Sequence, residues 1–220
     1  FSKNIGKYYE TKSYSMNEIY EKVQDNVFSY EDIEDLIFTM SVTPWSKLYK
    51  RSFIVDNNII FPEGLIFDDN IFFWEVLFNA KKIVFLNEFL FTRRFYSTSS
   101  TNNGDLRFLD SIEINKLIWD TFIKYNHFDY HKNVLYNNRV LSLYNRYVNI
   151  KNEYKNTFFK EMKKTYLSII YDEDLFNDFM ENLNENNKKI FIQVLSTDNS
   201  EDFELLRKTY GSIIKNPGDK

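Results

Sequence analysis

Along the first hundred residues the spacing of apolar positions changes several times. Residues 1–14, FSKNIGKYYETKSY, keep no clear period and read as loop or a short strand. Ser15 can cap a helix over 16–24, with Ile19, Tyr20 and Val23 on one side. Ser29 followed by Asp32 has the form of a capping box. The helix it opens carries Ile33, Leu36, Ile37 and Met40 at i, i+3, i+4, i+7. Pro44 stops that helix and can start the next. WSKLYKRSFIVDNN, 45–58, reads as helical, and IIFPEGLIF as an extended piece turning at Pro62-Glu63-Gly64. Asp69 to about Lys81 is helical again. KIVFL (82–86) and FLFTRRF (89–95) alternate like short strands, and YSTSSTNNGD (96–105) is a loop by composition.

From Leu106 the pattern settles. Pro and Gly occur after that point only at Gly211, Pro217 and Gly218. Helical periods run over about 106–125, 131–149, 153–171, 174–183, 186–196 and 200–214. The expected fold is α/β tending to mainly α. Residues 1–104 form a mixed half and residues 105–220 a helical one. Aromatics at helical spacing in the second half, such as Trp119, Phe122, Tyr144, Tyr147 and Phe158, read as packed core.

Composition narrows the function classes. At 220 residues and 43 % hydrophobic, the chain can bury a sizeable core and is not a disordered one. Aromatics reach 19 %, which an AT-rich coding bias explains as readily as a stacking surface. The net charge is −4 with acids and bases interleaved, which argues against nucleic acid as a partner. Without cysteine there is neither a disulfide nor a thiolate metal site. His127 and His131 are spaced i, i+4 and could seat a metal, but two ligands do not complete a zinc site, and a solvated helix face is the preferred reading. No apolar run reaches the ~20 residues that span a bilayer. No signal peptide is visible, and the expected location is cytoplasmic. The chain opens on Phe1 rather than Met, as a piece of a longer or processed protein would.

The chemistry concentrates in PEGLIFDDNIFFWEV, residues 62–76. Asp68 and Asp69 stand at the head of a helix that is apolar nearly all round, which implies burial on most faces. One acid suffices to cap such a helix. Its polar stripe is Glu75, Asn79 and Lys82, and seven residues before Glu75 lies Asp68. Asp68 therefore sits over the wet stripe and reads as the cap. Asp69 sits over Phe72, Phe73, Val76 and Ala80. A carboxylate on that side is partly desolvated, its pKa rises, and it can act as a general base. A pure helix-cap role for both acids remains the alternative.

The longer stretch PWSKLYKRSFIVDNNIIFPEGLIFDDNIFFWEVLFNAKKIVFLNEFLFTRRFYSTS resembles the second half of the catalytic domain of family 2 glycosyltransferases, of GT-A type. The features that carry the resemblance are Trp45, Lys47, Leu48, Tyr49 and Arg51, then Phe53, then Phe61-Pro62. After these come Asp68-Asp69, Phe72-Phe73, Ala80 to Ile83, Arg93-Arg94 and Ser97. They occur in order over about 60 residues. The resemblance implies an inverting, hexosyltransferase-like enzyme of polysaccharide and cell-envelope biosynthesis. In that family the second acid of the pair deprotonates an acceptor hydroxyl, which attacks the anomeric carbon of a nucleotide-sugar. The matching residue is Asp69, and the departure is Asp68 where the family usually has Glu. Trp45 and Lys47 would line the donor or acceptor pocket, and Arg93 or Arg94 would meet the diphosphate, for which a guanidinium is well suited. Core packing for Trp45 and a solvated strand end for the arginines stay open beside these roles.

The family's nucleotide-binding half, with its Asp-x-Asp motif holding a divalent Mg or Mn ion, is not visible in residues 1–40. Asp172-Glu173-Asp174 has similar letters but stands at a helix start, where an acid cluster needs no metal. The implied whole is therefore larger than this acceptor-side part, with the cation ligands mostly outside it. Implied partners are a nucleotide-sugar donor and a glycan or lipid-linked acceptor. The helical half would add a peripheral membrane contact at the inner face or a homo-oligomer contact. The competing reading is a non-catalytic helical interaction or oligomerisation module in which Asp68 and Asp69 only cap a helix.

Overall fold

A computed structural model describes residues 16–88, 90 and 103–210. Residues 1–14, the strand at 89–95 and most of the 96–105 loop therefore lie outside the described residues, as do Arg93 and Arg94. The chain divides into two compact units, 1–99 and 100–220.

Among its described residues the first unit holds four α-helices: α1 (Asn17–Val23), α2 (Tyr30–Ile33), α3 (Arg51–Asp56) and α4 (Asp69–Asn79). The capping box at α2 forms as its sequence implies. The Ser29 backbone N–H donates to Asp32 Oδ2 at 2.8 Å, and the Ser29 side chain accepts from the Asp32 backbone. The helix does not run on to Met40, however. After Ile33 the chain tightens: Leu36 N–H bonds Ile33 O at 2.8 Å and Thr39 N–H bonds Leu36 O at 2.9 Å, ending in a 3₁₀ turn at Ile37–Thr39. Ile33 and Ile37 are still fully buried, so the apolar spacing is satisfied by two short turns rather than one helix.

Helix α3 is also shorter than its apolar pattern suggests. Pro44–Ser46 is a 3₁₀ turn with Pro at its start, and Lys47 is extended (φ −137°, ψ 153°). The cause is local. The Lys47 ammonium turns back and donates to the carbonyls of Ser41 and Thr43, the latter at 2.9 Å. That bends the chain away from helix until Arg51.

Helix α4 is the centre of this unit. Ile71, Phe72, Phe73, Trp74, Leu77 and Phe78 are all buried. Phe78 meets Tyr30 edge-on at 5.2 Å, and Trp74 meets Phe38 at 5.3 Å. Among the described residues no strand is present. Of KIVFL only Ile83 pairs, in an isolated antiparallel bridge with Phe28 (N–H to O 2.9 and 2.7 Å).

The second unit is helical throughout its described residues. A 3₁₀ turn at Leu106–Leu109 leads into α5 (Asp110–Lys124), α6 (Phe128–Asn149), α7 (Asn152–Ile170), α8 (Glu173–Asn182), α9 (Glu185–Ser196) and α10 (Ser200–Tyr210). Helices α5 and α6 run antiparallel. Asn115 bonds Ser142 at 2.8 Å, Trp119 packs on Tyr136 at 5.2 Å, and Phe122 meets His131 edge-on at 5.6 Å. Tyr136, Phe179, Phe191 and Tyr166 then link α6, α8, α9 and α7 in a row of ring contacts. Tyr147, Phe159 and Phe203 close α10 onto α6 and α7. Of the aromatics singled out by spacing, Phe122, Tyr144, Tyr147 and Phe158 are core and Trp119 is half-buried. His131 departs from the expected solvated face. It is buried, and burial, helped by His127, lowers its pKa to about 4, so it packs as a neutral ring.

The mainly helical character is thus observed, and among the described residues the expected strand at 82–86 is not. Among the described residues no helix is long and apolar enough to cross a membrane.

Candidate functional site

The acid pair lies where the chain enters α4. Asp68 is the N-cap, and its Oδ1 accepts from the Asp69 backbone N–H at 3.1 Å. Asp69 is the first helical residue. Both are half-buried, so exposure alone does not separate them. Electrostatics does. Burial pushes the Asp69 carboxyl above the usual carboxylate range, the Asp68 charge pushes it further, and the Asn70 amides draw part of that back.

Two residues that the apolar pattern gave no reason to single out shape this turn. Phe67 has φ +68°, in the left-handed region that a bulky side chain rarely enters. Such a conformation costs on the order of 1–3 kcal/mol and persists only where its surroundings enforce it. Asn70 supplies the enforcement. Its backbone N–H reaches Phe67 O at 3.2 Å, and its side-chain Nδ2 reaches the same oxygen at 3.0 Å. Nδ2 also donates to Asp69 Oδ1 at 3.1 Å. No propensity rule forecasts a left-handed Phe. The run Asp-Asp-Asn was the only visible signal for Asn70.

Lys47 comes to the same place. It lies over the Phe73 ring at 5.1 Å, bonds Ser46 Oγ at 3.2 Å besides the two carbonyls, and feels the charge of Asp69. Burial lowers its pKa to about 8, against the upward pull of Asp69. Its donors are directed to its own loop, so its first role is to fold residues 41–47.

Phe72, one turn into α4, carries an aromatic cluster. Phe61 stacks on it at 4.0 Å with the rings 3° from parallel, and Tyr49 meets it edge-on at 5.3 Å. Among the described residues the Tyr49 hydroxyl is buried with no hydrogen-bond partner, and burial raises its pKa to about 12. A buried hydroxyl without a partner among its described neighbours is unusual. Trp45 is 43 % exposed on the Pro44–Ser46 turn, so core packing does not account for it.

The described residues therefore bring together Asp68, Asp69, Lys47 and the Tyr49–Phe72–Phe61 cluster. They do not assemble a cation site. No group of three or more metal-ligating side chains occurs among them, Asp68 is engaged as a cap, and one Asp69 oxygen is held by Asn70. Nor does the acid run at 172–174 offer one. Asp172 caps α8 through the Leu175 N–H at 3.0 Å. The chain matches no family model, no curated protein and no solved structure.

Proposed function

We propose that this chain is the acceptor-side part of an inverting glycosyltransferase and that Asp69 is its general base. The observation that carries the reading is the Asp69 carboxyl itself. It is half-buried at a helix start that Asp68 already caps, and its proton affinity is raised by burial and by the neighbouring charge. A helix needs one cap, and a second, desolvated acid costs stability unless it has chemical work.

In the proposed reaction a free Asp69 oxygen takes the proton of an acceptor hydroxyl. The hydroxyl oxygen bonds the anomeric carbon of a nucleotide-sugar as the carbon–oxygen bond to the diphosphate breaks. The nucleoside diphosphate leaves with the bonding pair, and the anomeric configuration inverts. A carboxyl raised from its usual range is a stronger base than an ordinary Asp, which suits this step. The exposed Trp45 and the Phe61–Phe72 stack supply flat apolar surface of the kind a sugar ring packs against. The Tyr49 hydroxyl offers a donor or acceptor beside it. Arg93 and Arg94 remain the proposed diphosphate contacts. A divalent Mg or Mn ion on the diphosphate stays an expectation for a larger enzyme, with its ligands elsewhere. Cytoplasmic placement at a membrane face goes with this reading.

A second reading rests on the Asp68 cap. If both acids serve only the helix, the chain is an interaction module. Sugar transfer by the protein as encoded decides between them. Asp69→Asn should abolish transfer with the fold intact, whereas Asp68→Asn should reduce it far less. Full transfer by Asp69→Asn removes the base assignment.

A further inference from the structure

The turn that presents Asp69 is built with more constraint than a helix start requires. Asp68 already satisfies the cap, yet Asn70 directs both hydrogens of its side-chain amide into the same turn. One goes to the carbonyl of the left-handed Phe67 and the other to Asp69 Oδ1. Both partners are acceptors only, so the amide's NH2 end must face them, and the reversed orientation would set oxygen against oxygen.

We propose that Asn70 is a positioning residue for Asp69: by holding Oδ1 it fixes the plane of the carboxylate and leaves Oδ2 as the one oxygen that receives the acceptor proton. The inference rests on the base reading of Asp69 and adds a residue to it. The left-handed Phe67 belongs to the same device. Its carbonyl is the second anchor that keeps the Asn70 amide from rotating with the carboxylate. Without that anchor a flexible Asp–Asn pair would exchange between the two carboxylate oxygens.

The bond favours the charged carboxylate, so its loss raises the proton affinity of Asp69. The other charged groups facing Asp69, among the described residues, are Asp68 beside it and Lys47 from the loop after Pro44. Neither bond partner of Asn70 is altered by replacing Asn70, so its effect is separable from theirs.

The test is carbon-detected NMR titration of the Asp69 carboxyl in the full chain, with the Asn70 side-chain NH2 protons followed in the same samples. In the wild type those protons should shift with the Asp69 midpoint, which needs no variant. Asn70→Ala should move the midpoint up by about one to two pH units, the size expected for one lost hydrogen bond to a charge. Asn70→Asp keeps the shape, replaces the donor with a second charge, and should move it further. An Asn70 NH2 signal indifferent to Asp69, or an unchanged midpoint in a folded Asn70→Ala chain, overturns the proposal. Failure of the base reading shows differently: Asp69→Asn would keep its transfer activity while the Asn70 titration result stood.

Discussion

Asp68 and Asp69 are chemically identical neighbours that one turn of backbone makes unequal. Asp68 spends its carboxylate on the Asp69 N–H, and Asp69 carries the electrostatic load of burial and of its neighbour's charge. A carboxyl whose pKa is higher in the fold than in the unfolded chain binds protons more readily when folded. Its contribution to stability is present below the unfolded value and is lost as pH rises through the folded one. At neutral pH the ionised Asp69 therefore weakens the fold. Asp69→Asn should raise the melting temperature at pH 7, with little difference from wild type below about pH 3.5, where both side chains are neutral. Thermal unfolding followed by circular dichroism at the two pH values measures this. A lower melting temperature at pH 7 would make Asp69 a cap. The phase of Glu75, Asn79 and Lys82 along the sequence singled out Asp69, although both acids are half-buried in the fold. It could not supply Phe67 or Asn70, because a left-handed Phe is held there by bonds that no local preference encodes.

At the scale of elements, the helices from Asp110 onward follow the apolar spacing closely because each buries one stripe against its neighbours. The segment from Ile33 to Lys50 does not, and the reason is side-chain competition for backbone carbonyls. Lys47 takes those of Ser41 and Thr43, and Thr39 Oγ1 takes that of Leu36 at 2.8 Å. Among the described residues the predicted strand at 82–86 reduces to the Phe28–Ile83 bridge. Gly104 shows what spacing leaves out in the second half. It has φ +55°, it accepts from Lys151 N–H at 2.8 Å, and a Cβ there would run into the Asn149 carbonyl, with the Ile150 Cα at 3.4 Å. Gly64 has φ +77° but open space around its missing Cβ. Gly104→Ala should therefore destabilise by about 2–4 kcal/mol, from backbone strain plus a clash with main chain, and Gly64→Ala by only about 1 kcal/mol. Urea unfolding of the two variants checks the order. Equal losses would show that the approach of 104 to 149–151 is not needed for the packing of α6 and α7.

At the scale of the whole molecule, the two units differ in what they offer to chemistry. The second carries a part-buried ionic cluster in which Lys155 of α7 meets Glu204 of α10 at 2.7 Å, and Arg207 of the same helix α10 meets Glu204 at 2.8 Å. Burial raises the Glu204 pKa, but the two cations outweigh it and bring the pKa to about 2. The first unit holds an acid, a strained turn and an unsatisfied tyrosine hydroxyl in one place, which packing alone does not explain. The mainly helical fold and the place of the acid pair were legible in the sequence. The identity of Asn70 as its partner was not. The proposed reaction rests on Asp69 as a base, and the pH dependence of sugar transfer tests that most directly. A base works only when deprotonated, so kcat/KM, which follows the free enzyme, should fall as pH drops through the Asp69 midpoint read by NMR, a midpoint above the ordinary Asp value of about 3.9. Agreement of the two midpoints, with transfer by Asp69→Asn reduced on the order of 10²–10⁴-fold, is the predicted result. An acid limb that does not follow the Asp69 titration, or that survives in Asp69→Asn, would contradict it.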